Sequence, residues 1–348
     1  NLNNNLKERI KSFHDLGILF QENFSNKKIK TFPKWDLILN QKLEQANLYN
    51  SWFTPSNLKL SLKYWGNILK KKKLENWLSN YKFKIRSHKT IAIIMAGNIP
   101  IVGFHDLVCS MLLNFKCLIK LSSDDKILTP FIVDFLEFRN PNFKSRIIFQ
   151  VNTLKNFDAV IATGSDNSHK YFEFYFKNYP NLLRKTRHSI AVLDGHETEK
   201  DLSLLSNDIF NYFGLGCRSV SKVFIPEGYN LDLIFNACYK HKNVINHDKY
   251  ANNFDYNKAV YLMSQEKFIE NGFIILKEDS KLGSPVGCLY YQYYNDIKDV
   301  YKIIEEDREK IQCVVINDKN NVAFGSTQCP KLDDYADNID TLDFLLKI

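Results

Sequence analysis

The pattern of apolar and polar positions changes near position 90. Before it, apolar residues recur at helical spacing between short polar breaks, which predicts amphipathic helices at 35–49 and 58–78. Residues 91–95 then form an unbroken apolar run that stops at Gly97-Asn98. Such a run, ended by turn-forming residues, predicts a buried strand that leads into a tight turn.

Strand-like and helix-like segments alternate along the rest of the chain. Helices are predicted at 102–113, 130–138, 166–178 and 201–212, and further strands at 117–121, 146–151, 157–162, 189–194, 220–226, 272–276, 286–291 and 313–315. Strands that alternate with helices at this spacing predict parallel sheets with right-handed crossover connections. The expected fold class is therefore α/β.

Length and charge narrow the class of protein. A chain of 348 residues predicts two domains, at about 100–200 residues per domain. A net charge of +8 suits a partner that carries phosphates, such as nucleic acid, coenzyme A or NADP. The lysine run at 70–73 is the natural nucleic-acid candidate, but Trp65, Leu69, Leu74 and Trp77 bracket it at helical spacing. We therefore expect the solvated side of a helix there and no nucleic-acid partner.

The cysteines and the apolar runs bear on the cellular compartment that we expect for the protein. Seven cysteines are scattered without a Cys-x-x-Cys pair or a cluster with histidine, so neither a disulfide framework nor a metal site is expected. Reduced thiols fit a cytoplasmic protein. No secretory signal pattern opens the sequence, and no apolar run approaches the roughly 20 residues that span a bilayer. A membrane span is therefore not expected.

Cys217 is the first candidate for chemistry. Gly214 and Gly216 precede it where a predicted helix ends and a strand begins, so the backbone can turn sharply and leave the thiol facing a cleft. The adjacent Arg218 could favour the thiolate, which is the reactive form. The alternative, a small buried hydrophobic residue, is expected for the five cysteines in apolar or helical surroundings. These are Cys109, Cys117, Cys238, Cys288 and Cys313.

Two further candidates follow the first two strands of the α/β region. Asn98 lies in the turn after 91–95, at the end of a strand where open α/β sheets place their sites, and its amide could donate to a developing oxyanion. Lys120 ends the next strand and Ser122 follows it, a pair that suits ribose hydroxyls or a 2′-phosphate. A plain turn at Asn98 and an exposed lysine before a helix cap are the alternatives.

A third candidate, Thr163-Gly164-Ser165, lies between a predicted strand and a predicted helix. Backbone N–H groups at the start of that helix would bind a pyrophosphate. The segment is not a Gly-x-Gly-x-x-Gly fingerprint, and a serine in this place is also an ordinary helix cap.

Taken in this order, the segments resemble the aldehyde dehydrogenase superfamily and, within it, the LuxC-like acyl-CoA reductases. The resemblance runs from about residue 91 to 345. Its specific pieces are AGNIP at 96–100, ATGS at 162–165, RHSIAVL at 187–193, GLGCRSVSK at 214–222, GSPVG at 283–287, FGSTQ at 324–328 and YADNIDT at 335–341. It implies an aldehyde-dehydrogenase-like fold with a Rossmann-type cofactor-binding domain at 1–190, to which 317–348 returns, and a second α/β catalytic domain at 191–316.

The resemblance also implies a reaction. Cys217 would attack a long-chain acyl thioester, donated by coenzyme A or a carrier protein, and the oxyanion would be held by Asn98 and the Cys217 backbone N–H. The thiol leaves, and NADPH then reduces the acyl-enzyme to a fatty aldehyde. His188 lies in a matching segment and is a candidate proton donor, because histidine titrates near neutrality. A histidine packed at a domain junction is the alternative.

Departures from the superfamily refine this expectation. Oxidising aldehyde dehydrogenases carry a water-activating glutamate about 34 residues before the cysteine, where this chain has Leu183-Arg184-Lys185, so reduction is favoured over hydrolysis. The proline and glutamate that usually follow the lysine are replaced at 121–124, which makes NADP easier to accept. The residues expected to bind the cofactor are Lys120, Ser122, Thr163, Gly164 and Ser165.

The resemblance also bears on the assembly of the protein, and two other functions remain as alternatives. The superfamily implies a homo-oligomer, and an acyl-transfer partner could supply the substrate. A short-chain, CoA-acylating aldehyde dehydrogenase that uses NAD is one alternative function. A chain that has lost catalysis and serves as a subunit is the other.

Overall fold

The computed structural model describes residues 4–83, 89–318 and 321–348. It divides into two compact units, one formed by Asn1–Lys185 with Lys331–Ile348 and the other by Thr186–Pro330. Each unit contains its own β-sheet. No helix within the described ranges is both long enough and apolar enough to cross a membrane.

The first unit begins with four helices, α1 (Asn4–Asn23), α2 (Pro33–Tyr49), α3 (Pro55–Ile68) and α4 (Lys71–Leu78). Helix α2 matches the prediction, but the single helix predicted at 58–78 is wrong, since Lys70 adopts an extended conformation between α3 and α4. The reason lies in the spacing, because the five-residue step from Leu69 to Leu74 does not fit one helical stripe, and the break lets both leucines be fully buried.

The first sheet is entirely parallel, as the alternating pattern predicts. It contains β1 (Thr90–Ile94), β2 (Lys116–Lys120), β3 (Ile147–Phe149), β4 (Ala159–Thr163) and β5 (Asn181–Arg184), in the order β3-β2-β1-β4-β5. Strand β5 is the one that apolar periodicity did not reveal, because it is four residues long with polar residues at both ends. Its Arg184 is buried and pairs with Asp106 and the Thr341 hydroxyl.

Helices connect these strands and cover the sheet. They are α5 (Phe104–Leu112), α6 (Leu128–Arg139), α7 (Asp166–Phe176) and, from the returning C-terminal segment, α12 (Thr341–Lys347). A large core of buried aromatic and aliphatic side chains joins the N-terminal helices to this sheet. Because β2, β1 and β4 are neighbours and parallel, the turns that follow them lie at one edge of the sheet.

The second unit contains a six-stranded mixed sheet. Its strands are β6 (His188–Val192), β7 (Val220–Pro226), β8 (Ile269–Glu270), β9 (Ile275–Glu278), β10 (Cys288–Tyr294) and β11 (Ile311–Val315), in the order β11-β6-β7-β10-β9-β8. All neighbouring pairs are parallel except β8 with β9. The helices of this unit are α8 (Glu199–Phe210), α9 (Asp232–Cys238), α10 (Asp248–Met263) and α11 (Ile297–Glu306).

The limits of the two units differ from the expected domain limits of 190 and 317. The first expected limit falls inside β6, which pairs with both β7 and β11. The segment after β11 stays with the second unit, because Val322 pairs with Val314, and Gly325 and Thr327 hydrogen-bond to Asp208 of α8. The chain therefore returns to the first unit only at Lys331.

Candidate active site

In the first unit, the Asn98 turn follows β1 and lies against the segment that follows β2. Asn98 is exposed, whereas Gly97 is buried, and a β-carbon on Gly97 would lie 2.6 Å from both Cβ and Oγ of Ser122. Only glycine allows so close an approach. The structure thus brings together two segments that the sequence singled out separately.

Lys120 and Ser122 lie where strand β2 ends. Lys120 is the last residue of the strand and is half-buried, and its carbonyl accepts a hydrogen bond from the Met95 N–H at 3.0 Å. The Ser122 hydroxyl accepts from the Asp124 N–H at 3.2 Å, which shapes the turn after the strand. Both residues therefore lie at the sheet edge that also carries the Asn98 turn.

Thr163-Gly164-Ser165 joins β4 to α7 at the same edge. Thr163 ends the strand, and Ser165 is the N-cap of α7, its hydroxyl accepting from the Ser168 N–H at 3.3 Å. Gly164 permits close packing of the strand end on the helix, since a β-carbon there would lie 2.8 Å from the Ser168 Cβ. The capping alternative is thus realised, and the first turn of an eleven-residue helix faces this edge.

These three turns fit a dinucleotide. They follow adjacent parallel strands, which is where doubly wound α/β sheets bind such cofactors. A helix N-terminus suits a pyrophosphate, and a strand-end lysine suits a ribose or a 2′-phosphate. The glycines at 97 and 164 let these turns pack closely on Ser122 and Ser168.

In the second unit, a strained turn precedes Cys217. After α8 ends, Tyr212 (φ 55°), Phe213 (φ 57°) and Gly214 (φ 75°) are all in the left-handed region. Two bulky residues in succession there are costly, and such strain persists only where the surroundings enforce it. Cys217 follows in a second turn just before β7, and its side chain is exposed.

The backbone of the Cys217 turn is held by its neighbours. The Cys217 carbonyl accepts a hydrogen bond from the Ser189 hydroxyl of β6 at 2.9 Å. Arg218, expected to favour the thiolate, donates through Nε to the Thr327 carbonyl at 2.6 Å, so part of its donor capacity anchors the chain. The Gln328 side chain also donates to the Ser219 hydroxyl at 3.2 Å.

Asp208 supports the segment on which the Cys217 turn is anchored, and the sequence did not reveal it. It is fully buried on α8 and accepts three hydrogen bonds, from the Gly325 N–H at 2.6 Å, the Thr327 N–H at 3.1 Å and the Thr327 hydroxyl at 2.8 Å. Burial raises the pKa of this carboxyl, and the three donors partly offset the effect. The only sequence signal was a carboxylate on the apolar face of a predicted helix.

The other cysteines divide by exposure. The five cysteines predicted to be structural are buried. Burial raises the pKa of Cys117, Cys238 and Cys288 to about 12 and that of Cys109 well above its usual range, which disfavours their thiolates. Cys329 is exposed, like Cys217, and no pattern in the sequence distinguished it.

His188 begins β6 and is half-buried under a loop. A β-carbon on Gly283 would lie 2.1 Å from Cε1 and 2.5 Å from Nδ1 of the imidazole, so the ring packs directly on the glycine backbone. Ser221 and Lys222 of β7 hold this loop, through Ser221 Oγ to the Leu282 carbonyl at 2.9 Å and Lys222 Nζ to the Ser280 carbonyl at 2.8 Å.

Lys222 is an unusual anchor because it is fully buried. Its ammonium also donates to Gln292 Oε1 at 2.6 Å and lies 4.7 Å from the centre of the Phe224 ring. Burial lowers the pKa of Lys222 to about 8. The loop over His188 is therefore attached to β7 through the buried Lys222 ammonium.

A small cleft lies beside the Cys217 turn. It is bordered by Gly214, and its lining combines large side chains such as Phe210, Phe213 and Tyr250 with the polar Ser284. The Phe213 ring lies 4.5 Å from that of His247. Throughout the described segments, no group of three or more His, Cys, Asp or Glu side chains could hold a metal ion.

Comparison with solved structures identifies the fold as that of the aldehyde dehydrogenases. Aldehyde dehydrogenase 21 from Physcomitrella patens, in complex with the reaction product succinate, matches 98% of this chain and 84% of its own with a TM-score of 0.67 at 10% identity. Aldehyde dehydrogenase C from Pseudomonas syringae, a mutant in complex with NAD+ and octanal, matches 90% of this chain and 73% of its own with a TM-score of 0.63 at 9% identity. The fold expected from the sequence is confirmed.

The chain belongs to the acyl-CoA reductase (LuxC) family, whose family model matches residues 5–234. It is 23% identical over 275 residues to the long-chain acyl-protein thioester reductase of Aliivibrio fischeri, covering 68% of this chain and 55% of that protein. It is 22% identical over 240 residues to long-chain acyl-protein thioester reductase 2 of Photobacterium leiognathi, covering 61% of this chain and 49% of that protein. The matched region is thus about half the length of each relative.

Proposed function

We propose that this protein reduces a long-chain fatty acyl thioester to the fatty aldehyde with NADPH, through an acyl-enzyme on Cys217. Membership of the acyl-CoA reductase family and the names of its relatives support the reaction class. The observation that carries the assignment is the exposed Cys217 on a turn that Ser189 and Arg218 anchor. A nucleophile must be accessible and fixed in position, and Cys217 meets both conditions.

The first half of the reaction forms the acyl-enzyme. The Cys217 thiolate attacks the thioester carbonyl, and the electron pair moves onto the oxygen. We assign the Asn98 amide and the Cys217 backbone N–H as donors to that oxyanion, as in the family that the sequence resembles. When the tetrahedral intermediate collapses, the carbon–sulfur bond to coenzyme A or to the carrier protein breaks, and the departing thiolate takes up a proton.

The second half releases the aldehyde. When bound, the dinucleotide supplies a hydride to the acyl carbon, and we assign Lys120, Ser122 and Thr163-Gly164-Ser165 to its binding. His188 would protonate the resulting alkoxide to the thiohemiacetal and then take the proton back as the carbonyl re-forms, and Cys217 would leave as the thiolate. NADPH is preferred in this proposal, because the glutamate that usually follows the lysine in the superfamily and contacts the ribose 2′-hydroxyl is replaced within 121–124.

Hydrolysis of the acyl-enzyme should be slow. In place of the water-activating glutamate of oxidising aldehyde dehydrogenases, this chain has Leu183-Arg184-Lys185, and the Arg184 side chain is engaged with Asp106 inside the first unit. Arg184 cannot act as a general base, because a guanidinium does not lose its proton in proteins. The acyl group is therefore left for reduction.

The proposal also covers the acyl donor, the oligomeric state and the location of the protein. The acyl donor is acyl-CoA or an acyl-carrier thioester, which an acyl-transfer partner could supply. We propose a homo-oligomer, as is usual in the superfamily, and a cytoplasmic location, based on the reduced thiols that the sequence indicates.

The test combines trapping with turnover. After incubation with tetradecanoyl-CoA in the absence of NADPH, mass spectrometry should find an acyl adduct on Cys217, absent in Cys217→Ala and retained in the control Cys329→Ala. Oxidation of NADPH should then depend on Cys217 and rise from acetyl-CoA to tetradecanoyl-CoA. A preference for acetyl-CoA with NADH would favour the short-chain alternative, and failure to acylate would favour a subunit that has lost catalysis.

A further inference from the structure

The turn that carries Asn98 contains a strained residue. Ile101, three residues later, has a φ of 50°. A β-branched side chain in the left-handed region is a genuine outlier and carries backbone strain. Some interaction must therefore hold the backbone in this conformation.

The Asp125 carboxylate provides that interaction. Oδ2 accepts a hydrogen bond from the Ile101 N–H at 2.7 Å, across 24 residues of sequence, and the Leu128 N–H also donates to this side chain. Asp125 is only 5% exposed. Its other oxygen, Oδ1, has no hydrogen-bond partner within the described ranges. The carboxylate is thus buried chiefly to hold two backbone N–H groups.

The rest of the turn is fixed by shape and by a second polar contact. The Pro100 carbonyl accepts from the buried Ser61 hydroxyl of α3 at 3.1 Å. Gly97 packs on Ser122 before the turn, and Gly103 packs on Met95 after it, each with less than 3 Å of room for a β-carbon. Pro100 and Ile101 are buried, and Asn98 is the exposed residue of the turn. The restraints therefore surround Asn98, which is itself exposed.

We propose that Asp125 is a positioning residue that locks the 98–101 turn and thereby aims the Asn98 amide at the developing oxyanion. The inference rests on the proposed function, since it gives Asp125 a role only if Asn98 stabilises that oxyanion. Asp125 itself touches neither substrate nor cofactor in this role. It acts by preorganisation, because a donor that must first find its place loses most of its effect on the transition state.

Substitutions at position 125 separate the hydrogen bond from the charge. Asp125→Asn keeps an oxygen that can accept from Ile101 and Leu128, and its amide nitrogen takes the place of the unpartnered oxygen. Asp125→Ala leaves both backbone donors buried without an acceptor. Asparagine should therefore restore what alanine removes. Asp124→Ala is the matched control, because the neighbouring aspartate is exposed.

The readout is the rate of acyl-enzyme formation in a single turnover, measured by quenching and mass spectrometry. Asn98→Ala should lower this rate by about 100-fold, the usual cost of an oxyanion donor. Asp125→Ala should lower it by at least about tenfold, whereas Asp125→Asn and Asp124→Ala should stay within about threefold of the wild type. NADPH affinity, measured by fluorescence titration, should not change in any of them.

A double variant distinguishes positioning from general damage. If Asp125 acts through Asn98, then Asp125→Ala should cost almost nothing further in an Asn98→Ala background. Equal losses in both backgrounds, or a normal acylation rate in Asp125→Ala, would overturn the inference. If Asp125→Ala does not fold, Ser61→Ala, which releases the Pro100 carbonyl, takes its place, with the same expected pattern and the same contradicting outcomes.

The result also separates this inference from the proposed function. If Asn98→Ala acylates at the normal rate, the oxyanion assignment fails and the role of Asp125 falls with it. If Asn98→Ala is slow while Asp125→Ala and Ser61→Ala are both normal, the oxyanion assignment stands and only the positioning role is refuted.

Discussion

Each unit holds a candidate catalytic turn by means of a buried aspartate, but the two aspartates are used differently. In the first unit, Asp125 accepts from the backbone of the Asn98 turn through one oxygen, and the other has no partner within the described ranges. In the second unit, Asp208 uses both oxygens and binds three donors of the segment that anchors Arg218. Asp125 thus restrains the Asn98 turn itself. Asp208 restrains the segment around Thr327, to which Arg218 of the Cys217 turn is hydrogen-bonded.

The difference shows which chemical property each position requires. At Asp125 one oxygen that accepts a hydrogen bond is sufficient, and the negative charge of the carboxylate is not required. At Asp208 both oxygens must accept, and only a carboxylate offers two acceptors and no donor. The comparison therefore predicts opposite responses to the same substitution.

The largest expected effect comes from Asp208→Asn. The new amide nitrogen would face an N–H donor of Gly325 or Thr327, so at least one buried donor would lose its acceptor. We expect the free energy of unfolding to fall by about 2–3 kcal/mol, measured by urea denaturation. Asp125→Asn should cost less than about 1 kcal/mol in the same assay. Equal losses at the two positions would break the comparison.

The next effect concerns Gly283, which restrains the His188 imidazole by close packing. In Gly283→Ala the methyl group would overlap the His188 imidazole and displace it. We expect reduction of the preformed acyl-enzyme to slow by up to about 100-fold, the lower end of what a general acid contributes, because the imidazole is displaced and not removed, while acylation keeps its rate. The methyl group should do no further harm in a His188→Ala background, where the space is free. Slower acylation in Gly283→Ala would instead indicate that the loop containing Gly283 helps to position Cys217.

The smallest effect is a pH dependence of stability. Burial raises the pKa of Asp125 to about 6 from the unfolded value of 3.8, so the folded state binds the proton more tightly. The ionised form is therefore a cost that is absent below pH 4 and complete above pH 6. Asp125→Asn should remove it, so the unfolding free energy of the variant relative to the wild type should rise between pH 4 and pH 6. A constant difference would contradict the raised pKa.

Apolar periodicity predicted much of the architecture but not its interruptions. The run at 91–95 became β1, Thr90–Ile94, because a strand buried on both faces is apolar throughout. Helix α10 was not predicted, since its polar and apolar residues do not separate into two faces. The break at Lys70 was missed because Leu69 and Leu74 were assigned to one apolar stripe, although a five-residue step places them on different faces of a helix.

The sequence led to the residues that we propose to contact the substrate, but not to the buried residues that support them. Cys217 and Asn98 lie in turns between regular elements, and such turns are visible in the sequence. Asp125 and Asp208 were not singled out, because a buried carboxylate is recognised only by the distant donors it holds. The contact between Gly283 and His188 joins positions 95 residues apart, and no local pattern reveals it.

The anchoring of the Cys217 turn by the segment around Thr327 also bears on how the protein is made. Asp208 and Arg218 precede their partners by more than 100 residues. During synthesis the cysteine therefore leaves the ribosome long before the segment that braces its turn. We expect the thiol to gain its working geometry only once residue 327 has emerged, so a nascent chain would carry this cysteine without yet being able to use it.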